Sequence, residues 1–156
     1  MILVTVGMQL PFPRLVAAMD RLAPGLDEPV VAQVGPDRAS YPNLDARARL
    51  TPAEFDAAAR RARLLVGHAG IGTVLTARHL GKPLILFPRR RDLGEHRNDH
   101  QFATCRQLEG VRGLHVAWSE EDLARLVPAP QLVAASETPG PSHDALIGYL
   151  RDYIDQ

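Results

Sequence analysis

Between residues 64 and 76 the chain reads Leu-Leu-Val-Gly-His-Ala-Gly-Ile-Gly-Thr-Val-Leu-Thr, small residues and hydroxyls set between an apolar run and a helical period. A strand ending at Gly67 and entering a helix through Gly70, Ile71 and Gly72 lets a ligand approach the backbone closely. The amides of a first helical turn carry roughly half a positive charge and favour an anion such as a phosphate. His68 and the Thr73 hydroxyl add side-chain donors. The same spacing also describes a tight strand-to-helix turn in which glycine only relieves sterics, and spacing alone leaves both readings open. The turn lacks the Gly-Lys-Ser/Thr ending of a Walker A loop and the third glycine of the dinucleotide fingerprint.

Glu95, His96, Asp99 and His100 invite a metal reading, because the two histidines would share a helical face. No glutamate stands between them in the zincin pattern, and the stretch straddles a loop-to-helix boundary, so a polar, substrate-facing loop is the better reading. Arg89, Arg90 and Arg91 are either a solvated loop or a guard for a phosphate-bearing ligand or an anionic membrane surface. His79, His115 and His143 are expected to be structural or exposed. Cys105 falls on one helical stripe with Phe102 and Leu108, which makes it a core residue rather than a nucleophile.

The elements that must position these residues alternate short apolar runs with helical periods, the pattern of βαβ layering over a parallel sheet. Strands are expected at Ile2–Val6, Val30–Val34, Leu64–Val66, Leu84–Phe87 and Leu114–Ala117, with a weaker one at Ala46–Leu50. Phe12, Leu15, Val16, Met19 and Leu22 recur at helical spacing. Thr51-Pro52-Ala53-Glu54 has the parts of a capping box opening a helix to about Arg61, and Ser119-Glu120-Glu121-Asp122 resembles a second. The helix after the glycine-rich turn should stop at Gly81, with Pro83 just beyond. Residues 88–97 read as a loop and Asn98–Leu108 as a helix. Four prolines make residues 128–142 irregular. A last helix, 143–154, places Leu146, Ile147, Leu150, Tyr153 and Ile154 on one face, to pack on its own sheet or to dock on a partner. The whole of 1–156 is expected to be one domain.

The balance of 18 basic and 18 acidic residues gives no sign of a nucleic-acid partner. A single cysteine excludes an intramolecular disulfide and fits a reducing compartment. The opening residues show no basic n-region or long apolar h-region, and no apolar run approaches the roughly 20 residues that span a bilayer. A cytoplasmic location is expected.

His68 to Pro88, HAGIGTVLTARHLGKPLILFP, resembles the donor-binding core of the glycosyltransferase family 28 C-terminal domain. GEHRNDHQ, Gly94 to Gln101, and the opening ILVTVGMQLPFPRLV resemble the same family, most of all its short members that pair with a membrane-anchored partner in N-glycan or bacterial exopolysaccharide assembly. The resemblance covers nearly all of residues 1–109. It implies a Rossmann-like α/β fold, a parallel sheet flanked by helices, as the C-terminal half of a GT-B enzyme. It implies that His68, Gly70, Ile71, Gly72 and Thr73 receive the diphosphate of a UDP-sugar, a substrate rather than a cofactor. Asp99 or His100, with Gln101, would lie near sugar hydroxyls or phosphates, and Gly7 would border the meeting place of donor and acceptor. Two positions depart from the family: Thr76 stands where a ribose-binding glutamate is usual, and Met8 replaces a hydroxyl residue.

The resemblance further implies an inverting transfer to a lipid-linked or polysaccharide acceptor. A membrane-anchored N-terminal-half subunit would supply the acceptor site and general base, leaving this chain nearly inactive alone and peripheral at the inner face of the membrane. A nucleotide-sugar hydrolase and a non-catalytic nucleotide-sugar-binding module are the alternatives.

Overall fold

Ile2 and Val4 turn to one buried face and Leu3 to the other, so β1 (Ile2–Thr5) is a strand covered on both sides, as a central parallel strand must be. In the computed structural model, described over residues 1–137 and 141–155 and for every side chain there except those of 141–143 and 153, six parallel strands form one sheet. The order is β3-β2-β1-β4-β5-β6, with β2 Val30–Gln33, β3 Asp45–Arg47, β4 Leu64–Gly67, β5 Leu84–Leu86 and β6 Leu114–Val116. The order reverses between β1 and β4, and in open α/β sheets the crevice beyond the carboxyl ends at such a reversal is where ligands bind.

Two helices, α1 (Pro13–Leu22) and α5 (Glu120–Leu126), cover one face through Leu15, Val16, Met19 and Leu123. Four cover the other: α2 (Pro52–Arg61), α3 (Ile71–Leu80), α4 (His100–Leu108) and α6 (Pro141–Ile154), through Ala59, Val74, Ala77, Cys105, Leu108 and Leu146. The Rossmann-like expectation is met. Among the described residues no helix is long and apolar enough to cross a membrane.

Four strands stop one residue sooner than expected. Val6, Val34, Phe87 and Ala117 are buried, and each donates its N–H to the neighbouring strand before the chain leaves the ladder. The backbone departs there because those ends feed the loops around the crevice. At the sheet edge, β3 is Asp45–Arg47 rather than Ala46–Leu50, and all three residues are exposed and charged or small, as an unpaired edge favours. Leu50 instead turns inward, its N–H held by the Gln33 side-chain oxygen at 2.9 Å.

The Thr51 box forms in both directions: Thr51 Oγ1 accepts the Glu54 N–H at 3.2 Å and Glu54 accepts the Thr51 N–H at 2.7 Å. The second box is half made. Ser119 caps Asp122, and the Asp122 carboxylate is held chiefly by the N–H of Trp118, at 2.9 Å, with that of Ser119 the weaker contact. Helix α4 begins at His100 rather than Asn98, because the Asn98 side chain accepts the His100 N–H in an Asx turn. Within 88–97 a 3₁₀ turn, Arg91–Leu93, breaks the expected loop.

Residues 128–137 are irregular, as expected, and cross beneath β6, where Ala135 lies against Gly113 and donates to the Lys82 carbonyl. Residues 138–140 of the proline-rich stretch lie outside the described residues, and helix α6 already includes 141 and 142. Leu146 is buried and Tyr149 and Leu150 pack with it on the sheet, whereas Ile147 and Ile154 are exposed, so the expected five-residue face is rotated. Helical phase accounts for 147, which falls outside the i, i+3, i+4 stripe of 146, 149 and 150, whereas 154 is exposed as the last residue of the helix. The side chains of Tyr153 and His143 are outside the described set.

Candidate functional site

Two turns meet above the carboxyl ends of β1 and β4. The β1–α1 turn opens at Gly7, whose φ of +76° suits glycine, and the β4–α3 turn carries His68. The imidazole is wedged between them. A Cβ on Gly70 would stand 2.5 Å from its Nε2, and one on Gly7 would stand 3.2 Å from its Cε1. Both glycines therefore serve His68 first, since each lacks the carbon that would displace its ring.

Burial pushes the His68 pKa down to about 4, the Arg89 charge adds to this, and the Thr5 carbonyl partly opposes it. The ring is neutral at pH 7. The Thr5 carbonyl accepts the His68 N–H at 3.3 Å and lies 3.5 Å from Nδ1, the limit of a hydrogen bond. A proton on Nδ1 leaves Nε2 as an acceptor, so His68 offers no positive charge.

The positive charge comes from Arg89, which is only 2% exposed. Its guanidinium lies 4.5 Å from the Phe12 ring and donates to the carbonyls of Pro11 (2.6 Å), Val6 (2.8 Å) and Leu10 (2.8 Å). Arg89 thus sews the β1–α1 turn to the end of β5. Of the arginine run, Arg89 alone is buried, while Arg90, paired with Asp92 at the surface, and Arg91 are exposed as in a solvated loop. Glu95 completes the brace, accepting from Arg14 Nε at 2.6 Å and from the Arg90 N–H at 2.8 Å, while Arg14 also lies 4.2 Å over the Phe87 ring.

Around this frame the cleft opens in two adjoining parts. One, of about 340 Å³, is lined by Gly7, Met8, Gln9, Leu10, His68 and Arg89 together with His96 and Gln101. The other, of about 400 Å³, is lined by His68, Gly70 and Ile71 of the glycine-rich turn and by His96, His100, Gln101 and Thr104. The Gln101 side-chain oxygen accepts the Arg89 N–H at 3.1 Å, which leaves its NH₂ group as a donor.

Of the expected site residues, Gly7, His68, Gly70, Ile71, His100 and Gln101 are thus brought together. Gly72 lies exposed in the first turn of α3, and nothing stands within 4 Å of where its Cβ would be. Thr73 is nearly enclosed, its methyl near Gly67. The Thr76 hydroxyl donates to the Gly72 carbonyl at 3.0 Å, so its proton is spent inside the helix. Asp99 faces away from the cleft, into a larger concavity on the other side of α4.

Thr104 was not expected in a binding role, whereas His96 falls in the stretch read as a polar, substrate-facing loop and does line the cleft. His96 belonged to a metal reading that needs it on one helical face with His100, but α4 starts only at His100. Among the described residues no group of three or more histidine, cysteine, aspartate or glutamate side chains is placed to hold a metal ion. Thr104 had a signal, since it follows His100 by one helical turn. Cys105 is buried, its thiol pushed up to about 12 by burial, as a core residue should be.

Against known proteins, residues 1–129 match the glycosyltransferase family 28 C-terminal domain. No curated protein matches the sequence. The solved structure of the glycotransferase of kitacinnamycin aligns at a TM-score of 0.59 and 19% identity, over 99% of this chain and 39% of that one. MurG of Acinetobacter baumannii aligns at 0.58 and 17%, over 96% of this chain and 49% of that one. The solution structure of ALG13 aligns at 0.61 and 17%, over 99% and 96%. The chain therefore spans under half the length of the first two and nearly all of the third. At these identities the likeness is one of fold.

Proposed function

Because this chain belongs to the glycosyltransferase family 28 C-terminal domain family, we propose that its cleft binds the diphosphate of a UDP-sugar and that the chain acts as the donor-binding half of a split GT-B glycosyltransferase. The observation that carries this reading is the convergence of the α3 N-terminus, the buried Arg89 charge and the polar groups of His68, His100 and Gln101 on one cleft at the strand-order reversal.

In an inverting transfer an acceptor hydroxyl attacks the sugar's anomeric carbon as the bond to the nucleoside diphosphate breaks. Negative charge builds on the leaving phosphate. Preorganised amides at the start of α3, with the Arg89 field behind them, stabilise that charge. Neutral His68, with its proton on Nδ1, takes a hydrogen bond from a sugar hydroxyl through Nε2, and the Gln101 NH₂ donates one to a phosphate oxygen. A general base is still needed, and the proposal places it, with the acceptor site, on a membrane-anchored partner that holds a lipid-linked acceptor. On this reading the chain is a peripheral protein at the cytoplasmic face of the membrane.

Support for a second reading, a non-catalytic nucleotide-sugar-binding module, comes from Thr76, whose hydroxyl is already bonded to Gly72. Calorimetric titration with UDP, UDP-GlcNAc, UDP-glucuronate, UDP-glucose and GDP-mannose tests the proposal. Selective binding of the uridine compounds, weakened by His68→Ala, is expected. Failure of all five to bind, alone and with the co-expressed partner, overturns it.

A further inference from the structure

Helix α4 has two working faces. His100, Gln101 and Thr104 line the cleft, while Asp99, Phe102, Arg106 and Glu109 line a separate concavity of about 830 Å³ on the other side, completed by Arg90, Asp92 and Trp118. We infer that this second concavity is a binding site for a neutral sugar ring of a saccharide.

Its floor is aromatic. The Phe102 and Trp118 rings lie 4.8 Å apart between centroids, tilted by 53°, and both side chains are half-buried. Glu109 accepts the indole N–H at 3.0 Å, which fixes the Trp118 rotamer and leaves one carboxylate oxygen to spare. Arg106 stacks on Phe102 at 5.1 Å and, among the described residues, has no carboxylate partner. Its guanidinium therefore keeps its donors for a ligand.

The charges around that floor choose between occupants. Two arginines face two aspartates and a glutamate. A site with a slight excess of carboxylates repels a phosphate, so neither a nucleotide nor an anionic lipid headgroup suits it. Protein interfaces deplete charge at their cores, whereas five of these seven lining residues are charged. A pyranose fits both parts: its C–H face packs on aromatic rings, and its hydroxyls meet carboxylate acceptors and guanidinium donors. The volume lies within the roughly 300–1,000 Å³ of ligand pockets. Asp99 alone of these residues was expected to face the donor, and here it lines the saccharide site. The inference does not rest on the donor reading, because the two sites use opposite faces of α4.

Trp118 is the only tryptophan in the chain, so its emission reports on this concavity alone. Titration with neutral gluco-, manno-, galacto- and N-acetylglucosamine oligosaccharides should shift that emission saturably for at least one series. Arg106→Ala should weaken the response about tenfold, the loss of one charged hydrogen bond, while Arg112→Ala, a surface change outside the site, leaves it intact. Prior saturation with UDP, followed by calorimetry, should leave saccharide affinity unchanged. Emission unmoved by every series, an undiminished response in Arg106→Ala, or competition by UDP would each overturn the inference.

Discussion

Replacing Gly72 by alanine separates the stability of α3 from its use as an anion site. Gly72 is the second residue of the helix, and an added Cβ meets no atom within 4 Å. The fold should therefore gain: a glycine in helical conformation costs unfolded-state entropy that alanine does not, and the gain is about 0.5 kcal/mol this close to the helix end. For a chain of this size that raises the melting temperature by about 1–2 °C. Helical Cα–Cβ bonds tilt toward the N-terminus, so the new methyl projects toward the space where a phosphate must meet the first-turn amides. Losing one such charge-assisted contact weakens UDP by about tenfold. Thermal unfolding followed by circular dichroism and calorimetric UDP titration give the two numbers on one protein. Wild-type affinity in a normally folded Gly72→Ala variant would refute the placing of the diphosphate on α3. A lowered melting temperature would refute the open space assigned to Gly72.

Three further outcomes follow from the frame of the cleft. Gly70→Ala puts a carbon 2.5 Å from His68 Nε2 and should lower stability by about 1–3 kcal/mol while forcing the ring into the cleft, to be checked by urea unfolding and the His68 ring resonances; an unmoved ring would contradict it. Glu95→Ala leaves Arg14 and the Arg90 N–H without their acceptor and should cost about 2–3 kcal/mol in urea unfolding, and a loss below about 0.5 kcal/mol would show that the brace is idle. His68 is neutral when folded down to about pH 4, whereas the unfolded chain protonates it from about pH 6.5, so the unfolded state binds more protons between these values. Stability should fall by up to about 3 kcal/mol as pH drops through that window, and the slope should flatten in His68→Asn; parallel slopes would sink the assignment.

The fold was legible because its strands are apolar on both faces and its helices carry caps and glycine stops that act locally. Thr51, Gly81 and the run Leu64–Gly67 do in the structure what their spacing demands. Less legible was the work of side chains whose partners are distant in sequence. Arg89 looks like one of three surface arginines, and only the folded turn, with Val6, Leu10 and Pro11 carbonyls gathered around it, makes it a buried keystone. Gly70 illustrates the same limit: its spacing suggested room for a ligand, yet the nearest claimant is His68, two residues away. Of the alternatives Asp99 and His100, the structure sets His100 on the cleft and Asp99 on the far side of α4. Helix phase decides which side of α4 a residue faces, and the start of that helix hung on the Asx turn at Asn98.

One hydroxyl at the back of the cleft carries a chemical polarity of its own. Thr104, which lines the cleft beside His100, shares a hydrogen bond of 2.6 Å with the Tyr149 hydroxyl of α6, 45 residues further along the chain. Each hydroxyl has a single proton to give. When Thr104 donates to Tyr149, the cleft meets only its lone pairs and the wall can receive a proton from a sugar; when Tyr149 donates, the same wall offers one instead. The sign of that contact is thus set jointly with the last helix, and turning Tyr149 away would leave the Thr104 hydroxyl able both to give and to take a proton, without moving a single residue that lines the cleft.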